Sequence, residues 1–293
     1  MSDSGQGFLE DKLDVASVEQ DTNQFVVSLI PYEESTTYIR GTANAPRSII
    51  EASSHIELLD ETLRVNAARH GITTVTPEIT DLGSITAHVS ELASAHPDAV
   101  LGFLGGEHSV TPAILAGLLA GRLPAAEFGI VWIDAHADLR RSFHGREDNH
   151  ACAGLNSVEF GRIVQIGVRS LAEEEASYLD SSDRVKCFRD WNDQVKDAIR
   201  GLPKRVYLSI DMDGFSPTLI RAVGTPEPGG LSWEEVMDIL DFVIGEKDMF
   251  AYDVVELCPH PDDVVSSYSA ARLVYKIMAY HAFHKLRGKA PRG

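Results

Sequence analysis

Short apolar runs rich in β-branched residues recur along the chain at 24–30, 71–75, 99–104, 128–133, 162–168, 184–188, 205–210 and 249–257, and each predicts a strand. Between them apolar residues fall at helical spacing, predicting helices over 45–68, 84–95, 110–121, 171–179, 191–200, 233–244 and 264–285. Pro46 suits the first turn of the first helix, and Ser232 followed by Glu235 forms a capping box at the start of another. Strands alternating with helices imply a mostly parallel sheet covered on both faces, a three-layer α/β/α fold. No internal repeat and no linker rich in Pro, Gly or Ser divides the chain, so 23–293 reads as a single catalytic-sized domain and 1–22 as a loosely ordered acidic tail.

Several of the predicted strands stop at acids and histidines. The run ending at Leu104 leads into Gly105, Gly106, Glu107 and His108; Ile133 leads into Asp134; Ile210 into Asp211, Met212 and Asp213; Val255 into Glu256. In an open parallel sheet the carboxyl ends of the strands form the ligand-binding edge. A lone Asp at such a place is ordinarily a helix cap, but four strands delivering these residue types to one edge point to a shared site. Asp134, His136 and Asp138 stand at alternate positions, so an extended backbone projects them to one side. Buried together they repel unless a cation joins them.

Counting metal-type ligands gives His108, Asp134, His136, Asp138, Asp211 and Asp213. Four carboxylates and two imidazoles exceed what one tetrahedral zinc needs, and this oxygen-rich set suits a pair of octahedral-type ions, two Mn²⁺ per chain before other divalent metals. Two such ions share a water and lower its pKa from about 15.7 towards about 7. Asp211, Asp213 and Gly214 look like the start of a calcium loop, but no further acids follow at EF-hand spacing.

Composition narrows the partners. Asp and Glu number 44 against 26 Lys and Arg, a formal charge of −18, which argues against nucleic acid and fits a small cation. Cys152, Cys187 and Cys258 show no CxxC spacing, so neither a disulfide framework nor a zinc ribbon is indicated. The N-terminal stretch has neither a basic nor an apolar signal region, and no apolar run approaches the roughly 20 residues that span a bilayer, so a cytoplasmic protein without membrane contact is expected.

The segments Gly105-Gly106-Glu107-His108-Ser109, Asp134-Ala135-His136-Ala137-Asp138 and Ser209-Ile210-Asp211-Met212-Asp213-Gly214, with Gly224-Thr225-Pro226-Glu227-Pro228-Gly229-Gly230 downstream, resemble the signatures of the ureohydrolase family, which contains arginases and agmatinases. The resemblance runs from about Pro31 to His284, and Ile39-Arg40-Gly41-Thr42-Ala43-Asn44-Ala45-Pro46-Arg47 is similar to the agmatinase branch. It implies that Asp134 and Asp211 bridge two manganese ions, with His108 and Asp138 on one and His136 and Asp213 on the other. It further implies that Glu256 holds the substrate guanidinium, that Thr225 and His150 contact substrate, that His150 shuttles protons, and that the chain assembles as a trimer or hexamer. Glu107 stands where many members carry Asp and is expected to support His108; Arg221-Ala222-Val223 replaces an Ala-Pro-Gly-like segment, leaving Arg221 either in solvent or at the pocket mouth.

The implied reaction is attack of a metal-bridging hydroxide on a guanidinium carbon, with Asp138 steering the proton, Glu256 orienting the group and His150 protonating the leaving amine. Agmatine, giving putrescine and urea, is the favoured substrate; arginine, guanidinobutyrate, aminopropylagmatine and guanidine are the alternatives. A zinc-dependent deacetylase would want one metal and a tandem histidine pair, which is lacking, and a non-catalytic assembly protein would have no use for the six ligands, Glu256 and His150. The loop 139–149 carries Arg140, Arg141 and Arg146 beside Glu147 and Asp148 and stands between metal motif and shuttle; Trp132 reads as core.

Overall fold

Each of the predicted strands forms in the computed structural model, which describes residues 7–13, 24–121 and 128–286. They are β1 (Phe25–Ile30), β2 (Ile72–Val75), β3 (Val100–Gly105), β4 (Phe128–Ile133), β5 (Ile163–Ile166), β6 (Val185–Phe188), β7 (Arg205–Asp211) and β8 (Asp248–Val255). They pair in one eight-stranded sheet of order β2-β1-β3-β8-β7-β4-β5-β6, parallel throughout. After β3 the chain crosses to β4, and the gap it leaves is filled only at the end by β7 and β8. The four central strands therefore bring segments far apart in sequence to one carboxyl edge, at the place where strand order reverses and open α/β sheets bind ligands.

Helices cover both faces. The longer ones are α2 (Ala45–Ser53), α3 (Leu82–Ala95), α4 (Val110–Gly121), α6 (Glu173–Ser181), α7 (Asp193–Arg200), α8 (Trp233–Glu246) and α9 (Val264–His281); α1 (Glu10–Leu13) and α5 (Ala153–Ser157) are single turns. One face of the sheet packs Ile49 and Ile50 of α2, Leu240 and Val243 of α8 and Val274 and Ile277 of α9. The other packs Ile85 and Val89 of α3 against Ile114 and Leu118 of α4. With side chains buried on both faces, β3 and β4 are wholly enclosed, which is why they read as unbroken apolar runs. At α8, Ser232 accepts from the Glu235 N–H while Glu235 accepts from the Ser232 N–H, the reciprocal cap that its sequence spacing requires.

Two expectations are corrected. The helix predicted over 45–68 stops at Ser53, and it does not resume through 60–64, where Asp60 Oδ1 takes the amides of Thr62 and Leu63 and Arg64 adopts a left-handed φ of 57°, both incompatible with a continuous helix. That Asp60 is buried and paired with the ammonium of Lys276 in α9 at 2.9 Å. The second concerns the expected loose tail. Phe8 and Leu9 are fully buried in the core, and the Leu9 amide donates to Ser53 Oγ at 2.9 Å. Residues 1–6 and 14–22 of that stretch lie outside the described residues. The predicted 264–285 helix is regular only to His281 and ends in a π turn over Ala282–Leu286.

Because Phe8 is anchored in the core, Phe8→Ala should lower unfolding stability by about 3 kcal/mol in chemical denaturation; a change within about 0.5 kcal/mol would mean that this segment is not held.

Candidate metal centre

Strand register builds the site. Trp132, Ser209 and Asp253 are register partners across β4, β7 and β8, and one step on Ile133, Ile210 and Val254 pair likewise. Asp134 and Asp211 thus emerge side by side at the carboxyl edge. His108 arrives from the turn between β3 and α4, where Gly106 passes so close to the backbone of Tyr32 that a Cβ would meet the carbonyl oxygen at 2.0 Å. His136 and Asp138 follow β4, and Asp213 follows β7.

The six expected ligands converge. His108 Nδ1 lies 3.1 Å from Asp134 Oδ2, 3.1 Å from Asp211 Oδ2 and 3.6 Å from Asp138 Oδ2. His136 Nδ1 lies 3.0 Å from Asp213 Oδ2 and 3.7 Å from Asp134 Oδ1. Among the described residues, two groups of side chains able to hold a metal ion result, His108–Asp134–Asp138 and Asp134–His136–Asp213, with Asp134 common to both. All except His136 are buried.

Hydrogen bonding leaves these atoms short of positive charge. Ser209 Oγ donates to Asp253 Oδ1 at 2.7 Å, so it must accept from His108 Nε2 at 2.9 Å. Asp253 is itself fixed by Thr111 and Tyr207 hydroxyls at 2.6 and 2.7 Å. With Nε2 carrying the proton, Nδ1 of a neutral ring is a bare lone pair, buried without a hydrogen-bond partner and facing three carboxylates. A cation among them removes that repulsion, and fixing the ligand histidine through its other nitrogen is the usual outer-shell arrangement of a metal site.

Protonation tells the same story. Burial, reinforced by neighbouring carboxylates, pushes Asp138 and Asp211 well above the usual carboxylate range, and burial does the same to Glu256. Burial would also lift Asp134, but the two imidazoles beside it, His108 and His136, hold it low. Burial would lower His136, yet Asp134 and Asp213 outweigh it and push the ring up to about 12. Without metal, protons take the place a cation is suited to fill.

Asp138 and Glu256 share another feature, left-handed φ angles of 53° and 60°. Such strain costs on the order of 1 kcal/mol each and persists where surroundings over-determine the backbone, commonly at functional sites. The Glu256 amide donates to Gly106 O at 2.8 Å, and its Oε1 accepts from the His108 amide at 2.7 Å. Its second oxygen faces Gly224, where a Cβ would stand 3.6 Å away.

A cleft of about 230 Å³ opens over the centre, lined in part by His136, Asp138, His150, Asp211, Asp213, Thr225 and Glu256. Thr225 lines it and donates to Asp213 Oδ2 at 3.3 Å. Among the described residues, five carboxylates and one guanidinium, that of Arg140, line this space. Arg140 is already engaged, by Glu174 at 3.3 Å and by the Phe143 ring at 4.7 Å. Arg146 of the same loop pairs with Glu34 and Asp148, both at 2.9 Å. Arg221 is exposed and does not line the cleft, which settles the two positions open to it from sequence.

Glu107 corrects the expectation that it supports His108. The buried carboxylate reaches instead to the loop after β1: Oε2 accepts the amides of Glu34, Ser35 and Thr36 at 2.8, 2.7 and 3.0 Å, and Oε1 accepts Ser35 Oγ at 2.8 Å. Because that hydroxyl proton is committed to Glu107, Ser35 Oγ is left to accept from His150, whose amide is at 2.9 Å and Nδ1 at 3.2 Å. The ring nitrogen Nε2 is thereby turned away, 3.4 Å from Thr37 Oγ1. Burial lowers the His150 pKa.

Several contributors carry no obvious sequence signal. Trp132 is core as expected, but its Nε1 donates to Asp134 Oδ2 at 2.8 Å and its ring stacks on His108 at 4.2 Å. Ser209 and Asp253 are polar positions inside apolar strand runs, and that interruption is the one cue available. Ser35 and Arg169 give none.

The arginase family model matches residues 23–280. The N(1)-aminopropylagmatine ureohydrolase of Synechocystis sp. is 34% identical over 272 residues, covering 87% of this chain and 88% of that protein. The agmatinase of Pyrococcus horikoshii is 30% identical over 280 residues, covering 92% and 96%. The crystal structure of agmatine ureohydrolase of Thermoplasma volcanium superposes with a TM-score of 0.83 at 28% identity, covering 97% of each chain.

Glu107→Ala strands three main-chain N–H groups and should speed hydrogen exchange at Glu34, Ser35 and Thr36 by at least about tenfold, equivalent to about 1.4 kcal/mol or more of lost protection. Unchanged protection there would show that Glu107 does not hold the loop.

Proposed function

The chain belongs to the arginase family of guanidino-group ureohydrolases, and on that premise we propose that it hydrolyses an amine-tailed guanidino substrate, agmatine to putrescine and urea. The observation that carries this reading is the pair of donor groups sharing Asp134 on the floor of an acidic cleft whose lining arginine is already neutralised. A carboxylate-tailed substrate such as arginine or guanidinobutyrate would bring negative charge into that cleft without a free cation to meet it. A cationic tail meets the opposite. The aminopropyl derivative of agmatine is a second reading, favoured by the Synechocystis relative and equally compatible with the charge argument.

His108, Asp134 and Asp138 would hold one divalent ion and Asp134, His136 and Asp213 the other, with Asp211 beside His108 completing the set. Mn²⁺ is the natural occupant of so oxygen-rich a site. When bound, two such ions lower the pKa of a water and stabilise developing negative charge, giving a nucleophile at neutral pH.

The chain's own residues supply the rest. Glu256, its Oε1 anchored on the His108 amide, presents its free oxygen to the planar guanidinium and fixes the carbon for attack. Asp138 takes the proton that the attacking water releases. Collapse of the tetrahedral adduct breaks the bond from carbon to the alkyl nitrogen, and the amine leaves only if protonated. His150 delivers that proton from Nε2, the nitrogen that the Ser35 bond leaves beside Thr37; with its pKa lowered by burial, it must be recharged from solvent in each turnover. Urea and the free amine depart.

With Mn²⁺ supplied, urea release should be fastest on agmatine or aminopropylagmatine, exceeding arginine and guanidinobutyrate by at least about tenfold, or about 1.4 kcal/mol in the transition state. Urea from none of them would reject the activity, and preference for arginine would reject the substrate class. His150→Ala should reduce kcat by about 10²- to 10⁴-fold with metal content unchanged; loss of metal instead would make His150 a ligand.

A further inference from the structure

Arg169, in the loop after β5, has no carboxylate within ion-pair distance among the described residues; its guanidinium is aimed at main-chain carbonyls instead. Nε donates to Pro228 O at 3.0 Å, and Nη1 to Gly167 O at 3.1 Å and Gly214 O at 3.3 Å. Nη2 donates to Asp213 O at 2.8 Å, Glu227 O at 3.0 Å and Phe215 O at 3.3 Å. All the N–H donors of the rigid fork are used. The backbone amides of Arg169 and Ser170 add bonds to Ala135 O at 2.9 and 3.0 Å.

These carbonyls belong to the segments that deliver one half of the centre. Ala135 precedes His136, Asp213 is bonded directly, and Glu227 Oε1 stands 3.8 Å from His136 Nε2. The fixed positive charge of Arg169 also lies near Asp213, Asp134, Glu227 and, with the smallest effect of the four, Asp211. The Gly-Gly pair closing the downstream motif is explained by the same contact. Gly229 and Gly230 take left-handed φ angles of 86° and 98°, and a Cβ on Gly230 would come within 2.7 Å of Phe215 O and 2.8 Å of Arg169 Nη2, which bonds that same carbonyl. There the chain folds over the guanidinium. The other half, His108 with Asp134 and Asp138, is braced by Trp132 and by the Ser209–Asp253 pair, neither bonded to Arg169.

We infer that Arg169 is the positioning residue of the His136–Asp213 metal site, tying three loops into the geometry that holds the ion there while leaving the His108 site to its own supports. The inference rests on the two-metal reading proposed above. Lysine cannot replace it, because three donors on a point charge do not reproduce the fork.

The full-length protein and its Arg169→Met and Arg169→Lys variants, stripped with chelator, are titrated with Mn²⁺ alone, with metal content read by elemental analysis and ion–ion coupling by electron paramagnetic resonance. The wild type should take up two coupled ions per chain. Both variants should keep the first ion and bind the second about 10- to 100-fold more weakly, the usual cost of losing an outer-shell partner, with the coupled signal giving way to that of an isolated ion. Arg169→Lys keeps the charge and aliphatic stem and supplies the result should the Met variant fail to fold. Variants that bind both ions as tightly as wild type, or lose both equally, overturn the role of Arg169. A wild type that binds fewer than two overturns the two-metal reading itself.

Discussion

Carboxylates held together away from water set the terms for everything at the carboxyl edge of this sheet. Asp134, Asp138, Asp211 and Asp213 are buried beside two imidazoles, and like charges so placed repel unless positive charge lies between them. The fold imposes that crowding. The order β3-β8-β7-β4 and its register bring the ends of β4 and β7 side by side, while Trp132 and the Ser209–Asp253 pair lock Asp134 and His108 in place. An apolar sheet interior thus forces a polar edge into one orientation, and relief through a cation is what the edge is built to accept.

Much of this was legible along the chain. β3 and β4 are unbroken apolar runs because they are enclosed on both faces, and their ends are visible because acids and histidines follow them. The ligand residues could be read for the same reason, since alternation at 134, 136 and 138 has meaning only in extended backbone. What escaped depends on partners distant in sequence. Asp60 keeps a predicted helix from resuming by capturing local amides while its charge is answered by Lys276 in α9, and nothing near residue 60 announces that lysine. Phe8 and Leu9 look like part of an acidic tail until their places in the core are seen.

Glu107 and Arg169 illustrate the same limit at the site. Each acts on main chain that belongs to another segment, Glu107 on residues 34–36 and Arg169 on the loops at 135, 213–215 and 227–228. Backbone carbonyls and amides have no side-chain signature, so such clamps are invisible to motif reading. They nonetheless convert a set of ligands into a rigid constellation, which is what separates a catalytic site from a cluster of acids. The arginine lining the cleft, Arg140, is meanwhile spent on Glu174.

On the reading proposed for this site, Asp134 stands between two cation sites. The most direct measurement is anomalous diffraction at the manganese edge from crystals of the Mn²⁺-loaded protein. Two peaks should flank Asp134, one toward His108 and Asp138 and the other toward His136 and Asp213. A single peak, or metal bound away from Asp134, would contradict it.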